Sequence, residues 1–174
     1  PDDIDDSAVK NSEMVFLEGY LWDEGKPKAA FDKAMRLAKK SAMTLSDQFC
    51  VERHKKSFFD LVKNKLDIAF ANEKEIIELI NAKSMEEVIT FAKQINKLLV
   101  ITRSDKGSMA IQGNYVYECE ARKNLEIVDL TGAGDLFAAG FLHGYINNIS
   151  IDKSLHEGTE MASKIIQKIG ARLS

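Results

Sequence analysis

Asp135 is the residue of this chain best placed to take a proton from a substrate. It follows Thr131-Gly132-Ala133-Gly134 and precedes Leu136-Phe137-Ala138-Ala139-Gly140-Phe141-Leu142, an apolar helical run that reaches about Ile146. Before the turn stands Asp129 and a β-branched pair, Ile127-Val128, which reads as a strand end. Two glycines around one alanine let the N–H groups of Gly132, Ala133 and Gly134 crowd together without a Cβ between them. With Thr131 as N-cap, the first N–H groups of the helix have no intrahelical partner and the positive end of the dipole faces the same way. Such a turn suits a phosphate, or the charge that develops on a transferring phosphoryl group. A carboxylate at position 135 would sit beside that anion, where it can deprotonate a hydroxyl. The other reading is that the glycines only make a tight strand-to-helix turn and Asp135 favours the helix start.

Other chemistry-bearing groups fall where predicted strands end, the position at which open α/β sheets collect ligands. Asn72 leaves one strand and Glu75 lies three residues on, in the first turn of the next helix. An Asn-x-x-Glu pair can hold a hydrated Mg²⁺ through waters and phosphate oxygens; it can equally be an Asn N-cap with Glu at N3. Thr102-Arg103-Ser104-Asp105-Lys106-Gly107 forms a third candidate, and Asp47, after Leu45-Ser46, a fourth. Arg103 or Lys106 could neutralise phosphate charge, or simply be solvated.

The elements that must position these residues follow from hydrophobic periodicity. Residues 1–11 are acidic and polar with room for a short helix. Strands are expected at Glu13–Glu18, Ser41–Leu45, Asp67–Ala71 and Leu98–Thr102. Between them come helices: one after a Gly25-x-Pro27 turn carrying Ala30, Phe31, Ala34, Leu37 and Ala38; one at Phe58–Val62 behind the charged Glu52–Lys56; then Glu75–Ile80 and Met85–Gln94. Ser108–Ile111 and Tyr115–Cys119 flank Gln112-Gly113-Asn114, a hairpin signal. A final helix is expected over Ser154–Ile169, closed by Gly170. Repeated strand–helix alternation followed by a hairpin predicts a doubly wound α/β sheet, mostly parallel, with helices on both faces and an antiparallel edge.

The composition is that of an ordinary globular chain: 174 residues, 45% hydrophobic, 29% charged, net charge −3. That charge gives no reason to expect nucleic acid or an anionic membrane as partner. No apolar run approaches the roughly 20 residues needed to span a bilayer. Cys50 and Cys119 stand far apart, which predicts no disulfide framework and a reducing, cytoplasmic setting. His54, His143 and His156 share no metal-ligand spacing with them.

Asp129-x-Thr131-Gly132-Ala133-Gly134-Asp135 resembles the D-T/x-T-G-A-G-D signature of the PfkB, or ribokinase-like, family of sugar and nucleoside kinases. The resemblance implies that the glycine turn is the anion hole and Asp135 the base. Leu130 stands where many members have Thr or Ser. Asn72-x-x-Glu75 resembles the family's metal and phosphate motif. Thr102 to Gly107 resembles its T-x-G-x-x-G nucleotide loop, with Ser104 in place of the first glycine. The segment Leu45–Phe49 resembles the family's D-x-N, with only Asp47 comparable. Gly158–Ser163 resembles the helix lining the adenine pocket, with Thr159 where others have Asn or His. The resemblance thus implies nucleotide contacts at Thr102, Gly107, Asn72, Thr131 and Thr159, and a metal held through Glu75 and Asn72.

As a member of that family the chain would use ATP and Mg²⁺ to phosphorylate the primary hydroxyl of a small-molecule nucleoside or sugar. Glu18-Gly19-Tyr20 and Phe49–His54 resemble the bacterial adenosine kinases, which makes adenosine the preferred acceptor over ribose or fructose. A monovalent-cation requirement and a homodimer are compatible with the same resemblance. The family's members are longer, so this stretch is expected to be the C-terminal portion of one domain, the remainder carrying the lid and most acceptor contacts. Three rival readings stand against this one. A Rossmann domain fails because the third glycine of G-x-G-x-x-G would fall at Phe137 and no strand ending in Asp or Glu follows; a P-loop NTPase fails because no G-x-x-x-x-G-K-[ST] occurs. A non-catalytic fragment or binding module of the same fold is countered by the presence of Asp135, Asn72 and Glu75.

Overall fold

Strands buried on both faces organise the first hundred residues. The computed structural model describes residues 1–23 and 26–173, so the turn expected at Gly25 lies outside the described residues. Strands β1 (Val15–Glu18), β2 (Ser41–Thr44), β3 (Ile68–Asn72), β4 (Leu98–Thr102), β5 (Ser108–Gln112) and β6 (Tyr115–Cys119) form one sheet in that order. It is mostly parallel, with antiparallel strands at one edge. Val15 pairs with Ser41 and Glu18 with Thr44, while Ala42 pairs with Ile68. β4 reads Leu-Leu-Val-Ile without alternation because neither face meets water, and Leu98 to Ile101 are all buried. β6 shows the opposite, with Tyr115, Val116 and Glu118 exposed on an edge strand.

The chain divides into two compact units, residues 1–100 with 111–115, and residues 101–110 with Val116 onward. In the first, helices α1 (Asp6–Asn11), α2 (Pro27–Leu37), α3 (Gln48–Asp60), α4 (Glu73–Ile80) and α5 (Met85–Ile95) accompany the strands. Pro27 opens α2 at a position that needs no N–H donor, and Phe31 and Ala34 bury one face. Trp22 meets Phe31 and Phe58 edge to face at 5.0 and 5.9 Å. α3 begins ten residues earlier than Phe58, where sequence periodicity placed it. Its charged stretch Glu52–Lys56 lies within that helix, which is kinked at the non-helical His54 (φ −115°, ψ 19°); Asp47 caps the start, and Cys50, Val51 and Phe58 are buried. A wide π turn at Leu61–Lys65 follows, keeping Leu61 and Val62 in the core.

In the second unit, α6 (Ala133–Ile146) packs on α7 (Ile151–Ile165). Their backbones approach so closely that a Cβ on Gly140 would lie 2.7 Å from Glu157 O. Two expectations are corrected here. Ile127-Val128 is not a strand; the N–H groups of Val128 and Asp129 go to the carbonyl of Ile166 at 2.8 and 3.2 Å. That same engagement marks where α7 stops: it ends at Ile165, four residues short of Ile169, and its start lies at Ile151 rather than Ser154. Among the described residues no helix is long and apolar enough to cross a membrane.

Candidate active site

The glycine turn before α6 is built around the Asp129 carboxylate. Asp129 Oδ1 accepts the Thr131 N–H at 2.9 Å and the Thr131 hydroxyl at 2.7 Å, and Oδ2 accepts the Gly170 N–H at 2.9 Å. The Gly170 N–H above all, then the Thr131 donors, hold this carboxyl below the ordinary range, so it stays ionised. Thr131 is therefore not the helix cap: its hydroxyl is spent on Asp129, and the N-cap is Gly132, at φ +77°. Glycine is required there, since a Cβ would suffer the left-handed backbone and lie 2.8 Å from Ala171 Cβ. Sequence reasoning quoted Asp129 within its motif but assigned it no task; the pattern Asp-x-Thr, an acceptor two residues before a donor, was the available signal.

Of the N–H groups expected to face an anion, that of Ala133 donates to the Leu130 carbonyl at 3.2 Å, within the turn itself. Gly134 occupies the second position of α6, where an N–H has no helical acceptor. Among the described residues nothing lies within 4 Å of where a Gly134 Cβ would be, so the space beside Gly134 is open. Asp135, in the first turn of α6, is exposed. The combination is an accessible carboxylate beside a positive helix terminus with room above it, which can bind an anion and accept a proton from a neighbouring hydroxyl.

The loop after β4 belongs to the same unit. Thr102 ends the strand, the Arg103 N–H donates to Gly107 O at 2.7 Å, and Ser104–Lys106 make one 3₁₀ turn. Ser104, standing where the resemblance expects glycine, takes φ +54° nonetheless. Gly107 sits at φ +85°, and a Cβ there would be 2.0 Å from the Cys119 carbonyl oxygen. Only glycine fits. Thr159 lies buried in α7, its hydroxyl 3.2 Å from that of Ser108 at the start of β5. It is packed into the interior with that partner.

In the first unit, Asn72 caps α4. Its Oδ1 accepts the Glu75 N–H at 2.9 Å, Glu75 Oε2 accepts the Asn72 N–H at 2.9 Å, and Asn72 Nδ2 donates to Glu75 Oε1 at 2.6 Å. The capping box is thus fully formed. Glu75 is buried, and burial raises its pKa; the Asn72 N–H works against that rise and the Asp47 charge adds to it. Asp47 caps α3, with Oδ1 accepting the Cys50 N–H at 2.7 Å. The Tyr20 hydroxyl donates to the Asp47 carboxylate; burial, with the Asp47 charge beside it, pushes this phenol up to about 12, so it remains a donor. Tyr20 was noted in the sequence only as part of Gly19-Tyr20, and nothing in its spacing announced Asp47 as its partner.

The donors around Glu75 are carboxylate and amide oxygens, the hard set Mg²⁺ prefers. Both Glu75 oxygens already accept from Asn72, and among the described residues no group of three or more His, Cys, Asp and Glu is arranged to hold a metal. A magnesium ion that keeps most of its waters fits this set; one held in a protein cage does not.

Comparison with known proteins bears on the whole stretch. The model of the pfkB family carbohydrate kinases matches residues 1–174. The adenosine kinase of Sinorhizobium meliloti superposes with a TM-score of 0.96 at 36% identity, over 99% of this chain and 54% of that one. A probable sugar kinase protein from Rhizobium etli CFN 42 gives 0.95 at 37% identity, over 99% and 54%. The cytidine kinase of Thermococcus kodakarensis is 32% identical over 111 residues, 63% of this chain and 40% of that protein. The chain therefore spans about half the length of these relatives, or less.

Proposed function

The chain belongs to the pfkB family of carbohydrate kinases, and from that premise we infer that it is the C-terminal portion of one ribokinase-like domain, in an ATP-dependent phosphotransferase acting on a primary hydroxyl. Adenosine is the preferred acceptor. The observation that carries the reading is the exposed Asp135 carboxylate on the first turn of α6, with open space over Gly134 beside it. In this reading Asp135 accepts the proton of the attacking hydroxyl, and the helix terminus at Gly132–Gly134 stabilises the charge of the transferring group. Thr102, Gly107, Thr131 and Asn72 contact the nucleotide, and Thr159 supports its base pocket from the interior. Glu75, with Asn72, would hold a hydrated Mg²⁺, whose contribution is to neutralise phosphate charge. A cytoplasmic setting completes the proposal.

Adenosine is supported by the Gly19-Tyr20 and Phe49–His54 residues and by the likeness to the Sinorhizobium enzyme. A second reading, a sugar kinase, is favoured by the equal likeness to the Rhizobium etli protein. The test is ATP consumption by the complete protein against adenosine, inosine, ribose and fructose. Turnover fastest with adenosine and lowered at least about 10²-fold in Asp135→Asn is expected. Near wild-type turnover in that folded variant would remove the base; a preference for ribose or fructose would select the sugar reading.

A further inference from the structure

Arg103 is the half-hidden cation of the loop after β4. Its side chain is only 15% exposed, and one terminal nitrogen donates both to the Lys106 carbonyl at 3.3 Å and to Glu118 Oε1 on β6 at 3.0 Å. Its Nε is buried and has no hydrogen-bond partner among the described residues. A buried guanidinium N–H left without a partner costs stability, so this placement calls for a reason. The backbone of the loop closes on itself: Arg103 N–H to Gly107 O, Lys106 N–H to Arg103 O, Gly107 N–H to Ser104 O. Those bonds set the loop's shape, and two contacts tie it to β6 and the residues after it: Gly107, pressed against Cys119–Ala121, and the Arg103–Glu118 pair.

We propose that Arg103 is a positioning residue for nucleotide binding, acting with Glu118 as a strap that fixes the Thr102–Gly107 loop against β6. The proposal rests on the reading of that loop as the nucleotide loop. Because Glu118 neutralises the guanidinium, Arg103 does not serve as a phosphate-binding cation; it orients Thr102 and Gly107, which do the binding. Arginine suits the task because one terminal nitrogen of its planar guanidinium carries two N–H groups in fixed directions, one for the carbonyl and one for the carboxylate.

The test measures ATP, ADP and AMP binding and steady-state kinetics in the complete protein, with Arg103→Met, Glu118→Gln, the double variant and the swap Arg103→Glu with Glu118→Arg. The expected result is a rise of about tenfold in KM for ATP in either single variant, the scale of a small misplacement of binding groups. The double variant should be no worse than either single one, and kcat at saturating ATP and KM for the acceptor should hold. The loss should be equal for ATP, ADP and AMP, and the swap should recover part of it. A loss in Arg103→Met that shrinks with each phosphate removed, with Glu118→Gln unaffected, would show a direct phosphate contact and overturn the strap. Unchanged ATP affinity in both single variants would overturn it too. Wild-type protein that binds no ATP would remove the nucleotide-loop reading itself, an outcome distinct from both.

Discussion

Glu75 places two demands on one carboxylate. It closes the capping box with Asn72, and it is the buried negative charge of the proposed magnesium site. Burial raises its pKa in the folded chain, so there it keeps a proton over a range where the unfolded chain has already lost one. Stability attributable to this group therefore falls as pH rises from about 4.3, the ordinary glutamate value, through the raised folded pKa. Glu75→Gln retains an acceptor for the Asn72 N–H while removing the charge. Urea unfolding across that range should show the decline reduced in the variant, and a magnesium titration of activity should show a higher requirement. An unchanged titration would return Glu75 to a helix cap alone. Asn72 and Glu75 were legible as a pair from their spacing. Their bonding was not, because Asn-x-x-Glu is compatible with both a cap and a metal site, and here the cap is formed.

At the scale of elements, the Thr102–Gly107 loop shows how a departure from a family pattern is absorbed. Ser104 adopts the left-handed conformation that glycine would take without cost. Ser104→Gly is expected to stabilise the protein by about 0.5–1 kcal/mol, less whatever the added freedom of the unfolded chain takes back. Chemical denaturation reads the difference; a loss of stability would mean that the serine side chain holds the loop. Gly107→Ala should cost at least about 2 kcal/mol from backbone strain alone, and more once the Cβ meets the Cys119 carbonyl 2.0 Å away. Thermal unfolding checks this, with a neutral result refuting the close approach. Strands β3 to β6 were legible because their apolar runs and the Gly113-Asn114 turn are local signals. The start of α3 was not, since Glu52–Lys56 offers no apolar period, and the helix, kinked at His54, is held by Val51 and Phe58 on either side of that stretch.

Across the whole molecule, burial is concentrated in the inner strands of the sheet. Leu99, Val100 and Ile101 of β4 are at most 1% exposed, whereas Tyr115 on the edge strand is 70% exposed. Amide hydrogen exchange should therefore be slowest at Leu99 to Ile101, near the limit of global unfolding, and much faster through Tyr115–Cys119. Equal protection in both strands would contradict an edge position for β6. Family membership, shown by a match over residues 1–174, is also a property of the whole stretch, and the acceptor preference is tested only in the complete protein.

From the order of its residues alone this chain announced an α/β sheet, the rhythm of its strands and helices, and a glycine turn carrying Asp135. Periodicity, turn chemistry and motif spacing are local, and local physics suffices to read them. Tertiary structure decided what became of the polar groups. Ile127-Val128 could have joined a sheet, but the Ile166 carbonyl, just past the end of α7, took the N–H groups of Val128 and Asp129. Thr131 could have capped α6, but Asp129 took its hydroxyl and left Gly132 as the cap. Each backbone donor finds one acceptor among several, and which one is nearest depends on segments tens of residues apart.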